Sequence, residues 1–197
     1  MSPPRAGAPG PLEQALEITR KDLRLEARAG EALLVTAPFG AVALLLVPLA
    51  VGTDVPLLRS VGSGMYWVVV LLFGVLVTFR QSGVDAPPQV ELLRLTGIHP
   101  AVQLLGRAGA NAVLLLAFEL AVLPVAVIVY DPPLHGWPWL LPVLPGVAIG
   151  LAVLGTLAGA LTQGLAGRTT LGPLLVVPLA LPLLLAATQS TEATRYG

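Results

Sequence analysis

Few residues in this sequence offer chemistry. One carboxylate, Glu119, falls inside a long apolar stretch, with Asn111 eight positions before it. A charge at mid-bilayer costs at least ~2.5 kcal/mol on insertion scales, so such a glutamate has to face protein or water. Two readings follow: a proton or substrate contact within a helix bundle, or a neutral glutamate hydrogen-bonded to a neighbouring helix. The two histidines, His99 and His135, lie in polar segments predicted on opposite sides of a membrane, so they cannot share a metal ion. With no cysteine, disulfides, thiolate zinc sites, iron–sulfur clusters and the C-x-x-C-H attachment motif are excluded. There is no G-x-x-x-x-G-K-[ST] to cradle a nucleotide phosphate, no H-E-x-x-H and no G-x-S-x-G.

Two polar segments carry the remaining candidates. In DPPLHGWPWL, His135 stands beside Trp137 and Trp139, a set that could contact haem or another flat ligand on the outer face. The competing reading is a turn at Asp131-Pro132-Pro133 followed by tryptophans anchored at the membrane interface. Residues 79–107 are too long for a simple turn, and the Pro87-Pro88 pair predicts a short helix over 89–96. Arg80, Asp85, Gln89, Glu91 and Arg94 give this segment its polar side, and Val90, Leu92 and Leu93 its apolar side. That pattern suits a docking element for a peripheral partner, or a helix lying along the membrane surface.

The elements that position these residues are set by lipid. Of the 197 residues, 55% are hydrophobic and only 11% charged, and the mean hydropathy is +0.84. A soluble domain carries about 25% charged residues, enough to wet its surface; this chain does not. Apolar stretches at about 32–51, 61–78, 108–130, 140–165 and 171–187 each approach the ~20 residues that cross a bilayer as a helix. The last holds Pro173, Pro178 and Pro182, which predict a kinked or incomplete crossing. Small residues at Gly146, Gly150, Gly155 and Gly159 allow close helix packing. Residues 1–10 are Pro/Gly/Ala-rich and read as disordered, and 11–30 read as an amphipathic helix with Leu12, Ala15, Leu16 and Leu23 on one face. The fold class is therefore all-α: a polytopic bundle over 31–197 preceded by an interfacial helix. Lys and Arg divide nine to two between alternate connecting segments, which places the N-terminus in the cytoplasm. Trp67, Tyr66 and Tyr130, with the two outer tryptophans, read as an aromatic belt on the opposite side. A net charge of zero argues against nucleic acid as a partner.

Three stretches resemble the CcmB family, the haem exporter protein B permease subunit of the cytochrome c maturation ABC transporter. They are the mixed-charge segment ALEITRKDLRLEAR (15–28), Phe79-Arg80 with Asp85 and Glu91-Leu92-Leu93, and GLAGRTTLGPLLVVPLALPLLLAAT (164–188). The resemblance implies an ABC-2-like permease in the bacterial cytoplasmic membrane, without catalytic residues or ATPase activity of its own. A separate CcmA-type subunit is expected to hydrolyse ATP and to dock on the segment after the second span. CcmC- and CcmD-type membrane proteins, a CcmE-type haem chaperone and a second copy of the chain are the other expected partners, with haem as a possible substrate. Family members usually have six spans, so a five-span chain reads as one lacking its sixth. Arg107 and Asn111 stand where relatives often carry a Lys and a His-Trp pair. The alternatives are an ABC-2-type permease for a drug or lipid, a membrane enzyme built on Glu119, and a non-catalytic membrane scaffold.

The absence of cysteine gives topology a clean test. His135→Cys is expected to react with a membrane-impermeant maleimide in intact cells and Asp85→Cys only after lysis; the reverse pattern contradicts the orientation.

Overall fold

The computed structural model describes residues 10–29, 31–52, 54–82, 98–132, 137–162 and 168–196. Among the described residues there is no strand, and six helices account for nearly all of them: α1 (Pro11–Ala29), α2 (Glu31–Val51), α3 (Val55–Ser82), α4 (Pro100–Tyr130), α5 (Trp137–Leu161) and α6 (Arg168–Tyr196). The last five are long and apolar enough to cross a membrane. Asp85, Gln89, Glu91, Arg94 and His135 lie outside the described residues.

The helix ends follow local chemistry. Asp54 caps α3 by accepting from the Leu57 amide at 3.4 Å. His99 caps α4 through Nδ1, which accepts from the Ala101 amide at 3.2 Å, and Pro100 occupies the first turn, where its missing N–H costs nothing. Boundaries differ from the sequence reading: the second span begins at Val55 rather than 61, and the fourth ends at Leu161 rather than 165. The third span begins at Pro100 rather than 108, so Arg107 is a half-buried helical residue and not part of a loop. The fifth continues unbroken to Tyr196 through all three prolines. Apolar neighbours hold it: Val176, Ala180, Leu184 and Ala187 recur at intervals of three or four and are buried in the common core.

α3 is the hub. It packs against α2, α4, α5 and α6, while α2, α4, α5 and α6 form an arc of neighbours around it. It is also the one span with no proline in its interior, whereas the other four carry between one and three. The open side of the arc, where α2 and α6 do not meet, shows as the exposed stripe Val68, Leu72 and Leu76. Small residues set the close approaches. A Cβ at Gly150 meets Leu183 of α6 at 2.7 Å, and one at Gly155 collides with the methyl of Thr78 on α3. Gly146 faces open space, so the small-residue pattern of α5 serves packing inside the chain at two of its positions.

The aromatic belt is corrected by the structure for three residues. Tyr66, Trp67 and Tyr130 are all under 7% exposed and make bonds within the bundle. Tyr66 and Trp67 meet edge to face at 5.0 Å, and Trp67 Nε1 donates to Thr191 of α6 at 3.3 Å. The Tyr130 hydroxyl donates to the Leu44 carbonyl at 2.8 Å. That carbonyl lost its helical donor when the residue four positions on became Pro48. In lipid no water replaces the donor, so a tyrosine from α4 does. Tyr130→Phe is expected to lower stability by about 1 kcal/mol in detergent unfolding. In the Pro48→Ala background, where the alanine supplies its own N–H, the same change should cost much less. Equal losses in both backgrounds contradict the pairing.

Candidate functional site

α4 carries the buried polar side chains that sequence reading singled out. Asn111 and Glu119 are 2% and 0% exposed, and eight residues of helix place them about 12 Å apart along the axis. Asn111 Nδ2 donates to Thr156 Oγ1 of α5 at 3.0 Å, and that hydroxyl donates to the Ala152 carbonyl at 2.6 Å. Asn111 Oδ1 has no hydrogen-bond partner. Thr78 of α3 lies one position away on the α5 side, its methyl seated on Gly155, so three helices contribute polar groups at this level.

Glu119 differs: neither carboxyl oxygen has a hydrogen-bond partner. Phe118 beside it in sequence, and Leu115 and Val122 about one turn away, are buried in the same apolar core. An ionised carboxylate in such surroundings without a partner costs several kcal/mol. The Tyr66 hydroxyl comes close but donates to the Glu119 backbone carbonyl, at 3.1 Å, rather than to the side chain. Pro124 removes the helical donor of the Leu120 carbonyl, one position past the carbonyl that Tyr66 bonds. The carboxyl is thus held in the bundle with its full hydrogen-bonding capacity unspent.

At the opposite end from α1, Arg59 of α3 reaches Asp131 just after α4. Its Nε donates to the Asp131 carbonyl at 3.0 Å and its guanidinium pairs with the Asp131 carboxylate. Asp131 adopts a left-handed conformation (φ 43°) that closes α4, and the arginine supplies the positive charge suited to a helix C-terminus. This clamp, with Thr78, Thr156 and the interhelical bonds of Tyr66 and Tyr130, escaped the sequence reading; Asp131-Pro132-Pro133 signalled a turn, but not its partner 72 positions away.

The other candidates among the described residues stand at helix ends. Arg80 stands in the last turn of α3, at the end where the chain continues toward the undescribed 83–97 segment, and Trp137 and Trp139 stand in the first turn of α5. Among the described residues no group of three His, Cys, Asp or Glu side chains could hold a metal ion.

Five apolar spans, four of them packed around α3, with Asn111 and Glu119 buried in the bundle, define a polytopic helical protein of the membrane. The CcmB protein family model matches residues 13–197, so the chain belongs to the CcmB family. It is 30% identical to the heme exporter protein B of Haemophilus influenzae over 182 residues, 90% of this chain and 81% of that one. The Rhodobacter capsulatus heme exporter protein B is 30% identical over 84% of this chain and 76% of its own. That of Paracoccus denitrificans is 33% identical over 90% and 80%.

The burial of Glu119 has a direct chemical check. Dicyclohexylcarbodiimide, which partitions into lipid, is expected to add mass to one carboxyl-bearing peptide of the spans. The adduct should be absent in Glu119→Gln, and a water-soluble carbodiimide should leave Glu119 unmodified. Labelling of Glu119 by the water-soluble reagent contradicts the burial.

Proposed function

We propose that this chain is the membrane permease subunit of an ABC transporter of the haem-exporter type, acting in cytochrome c maturation. The observation that carries this reading is the CcmB match over residues 13–197, which takes in all five spans. The N-terminus lies in the cytoplasm of a bacterial cell and the spans cross its cytoplasmic membrane, as the nine-to-two division of Lys and Arg supports. ATP is hydrolysed on a separate CcmA-type subunit. That subunit docks on the connection between α3 and α4, where Arg80, Asp85, Gln89, Glu91 and Arg94 provide charged and polar contacts. CcmC-, CcmD- and CcmE-type proteins and a second copy of the chain complete the assembly.

The fold supports a route for the mechanical signal. The connection joins the end of α3 to the start of α4. α3 touches every other span, so a displacement at its end reaches the whole bundle. α4 carries Asn111 and Glu119, whose unspent polar atoms are the intramembrane contacts that a rearranged bundle could offer a substrate or a proton. His135, Trp137 and Trp139 at the far end are the contacts for a flat ligand such as haem, the substrate this reading favours.

Asp85→Asn/Glu91→Gln is expected to insert and fold normally yet to lower substrate-stimulated ATPase activity of the assembled complex at least about tenfold, the loss of two buried charge-assisted contacts. Unchanged stimulation removes the coupling role from this segment.

A further inference from the structure

α1 counts four acids and four bases, so as a sequence it is electrically balanced. The structure separates the two signs. Its docking face is Ala15, Ile18, Thr19 and Asp22, which leaves Leu12 and Leu16 outward. Thr19 Oγ1 bonds to the Gly106 carbonyl of α4 at 2.8 Å, and Gly106 and Gly109 are small enough to admit Ile18 and Thr19. The acids are largely spent: Glu13 accepts from the Gly10 amide, Asp22 pairs with Lys21 and is mostly covered, and Glu26 is half-buried. The stripe that remains outward steps by four along the helix: Leu12, Leu16, Arg20, Arg24, Arg28. Its leucines are 75% and 57% exposed. Among the described residues its three arginines make no hydrogen bond or ion pair. With Glu17, Lys21 and Leu25 they line one groove of about 530 Å³.

We propose that this groove binds the headgroups of anionic phospholipids, with Leu12 and Leu16 dipping into the adjoining acyl layer. Three unpaired guanidiniums against a single acid give the site a net positive charge that matches a phosphodiester. An exposed leucine edge continuous with that charge is what a helix needs to lie in the bilayer surface. A docked protein would meet the charge but leave the leucines without an apolar layer. The site stands apart from the transport reading above and holds whatever the chain exports.

The test is thermal unfolding of the purified full chain in dodecylmaltoside micelles, titrated with phosphatidylglycerol, phosphatidylcholine or inorganic phosphate. Phosphatidylglycerol is expected to raise the melting temperature by about 3 °C or more, and the other two to leave it unchanged. Arg20→Gln/Arg24→Gln/Arg28→Gln should weaken the lipid titration about a hundredfold, and the corresponding triple Lys variant should keep it. An equal shift with phosphatidylcholine, a shift from phosphate alone, or no phosphatidylglycerol effect on the unmodified chain overturns the proposal without any variant having to fold. So does a triple Gln variant that keeps its lipid response but no longer co-purifies with an ATPase subunit, which would assign the groove to a protein.

Discussion

Backbone hydrogen bonding is the constraint on which the rest of this bundle depends. In hydrocarbon an unsatisfied carbonyl has no water to turn to, and each one costs several kcal/mol. Eight prolines stand inside the membrane-spanning helices, each cancelling one helical donor. The chain responds in two ways. α3, the span with no proline in its interior, is placed where all four other spans can pack against it. At the Pro48 gap in α2 a tyrosine hydroxyl from α4 reaches the orphaned Leu44 carbonyl, and in α4 Tyr66 bonds the Glu119 carbonyl, next to the one that Pro124 orphans. The bends are thereby pinned between helices instead of within them.

That solution shapes the polar site. Because Tyr66 is engaged by the backbone near Pro124, the Glu119 carboxyl is left without a donor. Asn111, on the same helix, is half satisfied by Thr156 and keeps one acceptor open. A bundle built only for rigidity gains by pairing such atoms or by replacing them with apolar ones. A permease that must change its packing has a use for polar groups held ready on a helix that joins directly to the segment proposed to receive the ATPase. The Arg59–Asp131 pair joins α3 and α4 at the end opposite that segment.

Much of the architecture was legible because lipid writes a loud signal. Long apolar runs and sparse charge identified five long apolar helices, and in the structure a charged helix over Pro11–Ala29 precedes them. What escaped was pairwise. Tyr66, Trp67 and Tyr130 resemble interface anchors by position, yet packing turns them inward. Leu12, Ala15 and Leu16 share a face of α1 by periodicity, but nothing in the pattern told that the glycines of α4 would take Ala15 with Ile18 and Thr19 and leave the leucines outward. Pro173, Pro178 and Pro182 predicted a kinked or incomplete crossing; the helix runs the full length, held by contacts with α3 and α5. Hydropathy records which solvent a segment wants, not which neighbour it meets.

The central claim is that this chain is the membrane half of an ABC transporter. Its most direct measurement is purification of the affinity-tagged protein from its native membrane under mild detergent, followed by identification of what accompanies it and assay of ATP hydrolysis. The account predicts a stoichiometric nucleotide-binding subunit and ATPase activity in the eluate. A folded chain that elutes alone, with no ATPase bound at any detergent concentration that preserves its melting transition, contradicts it.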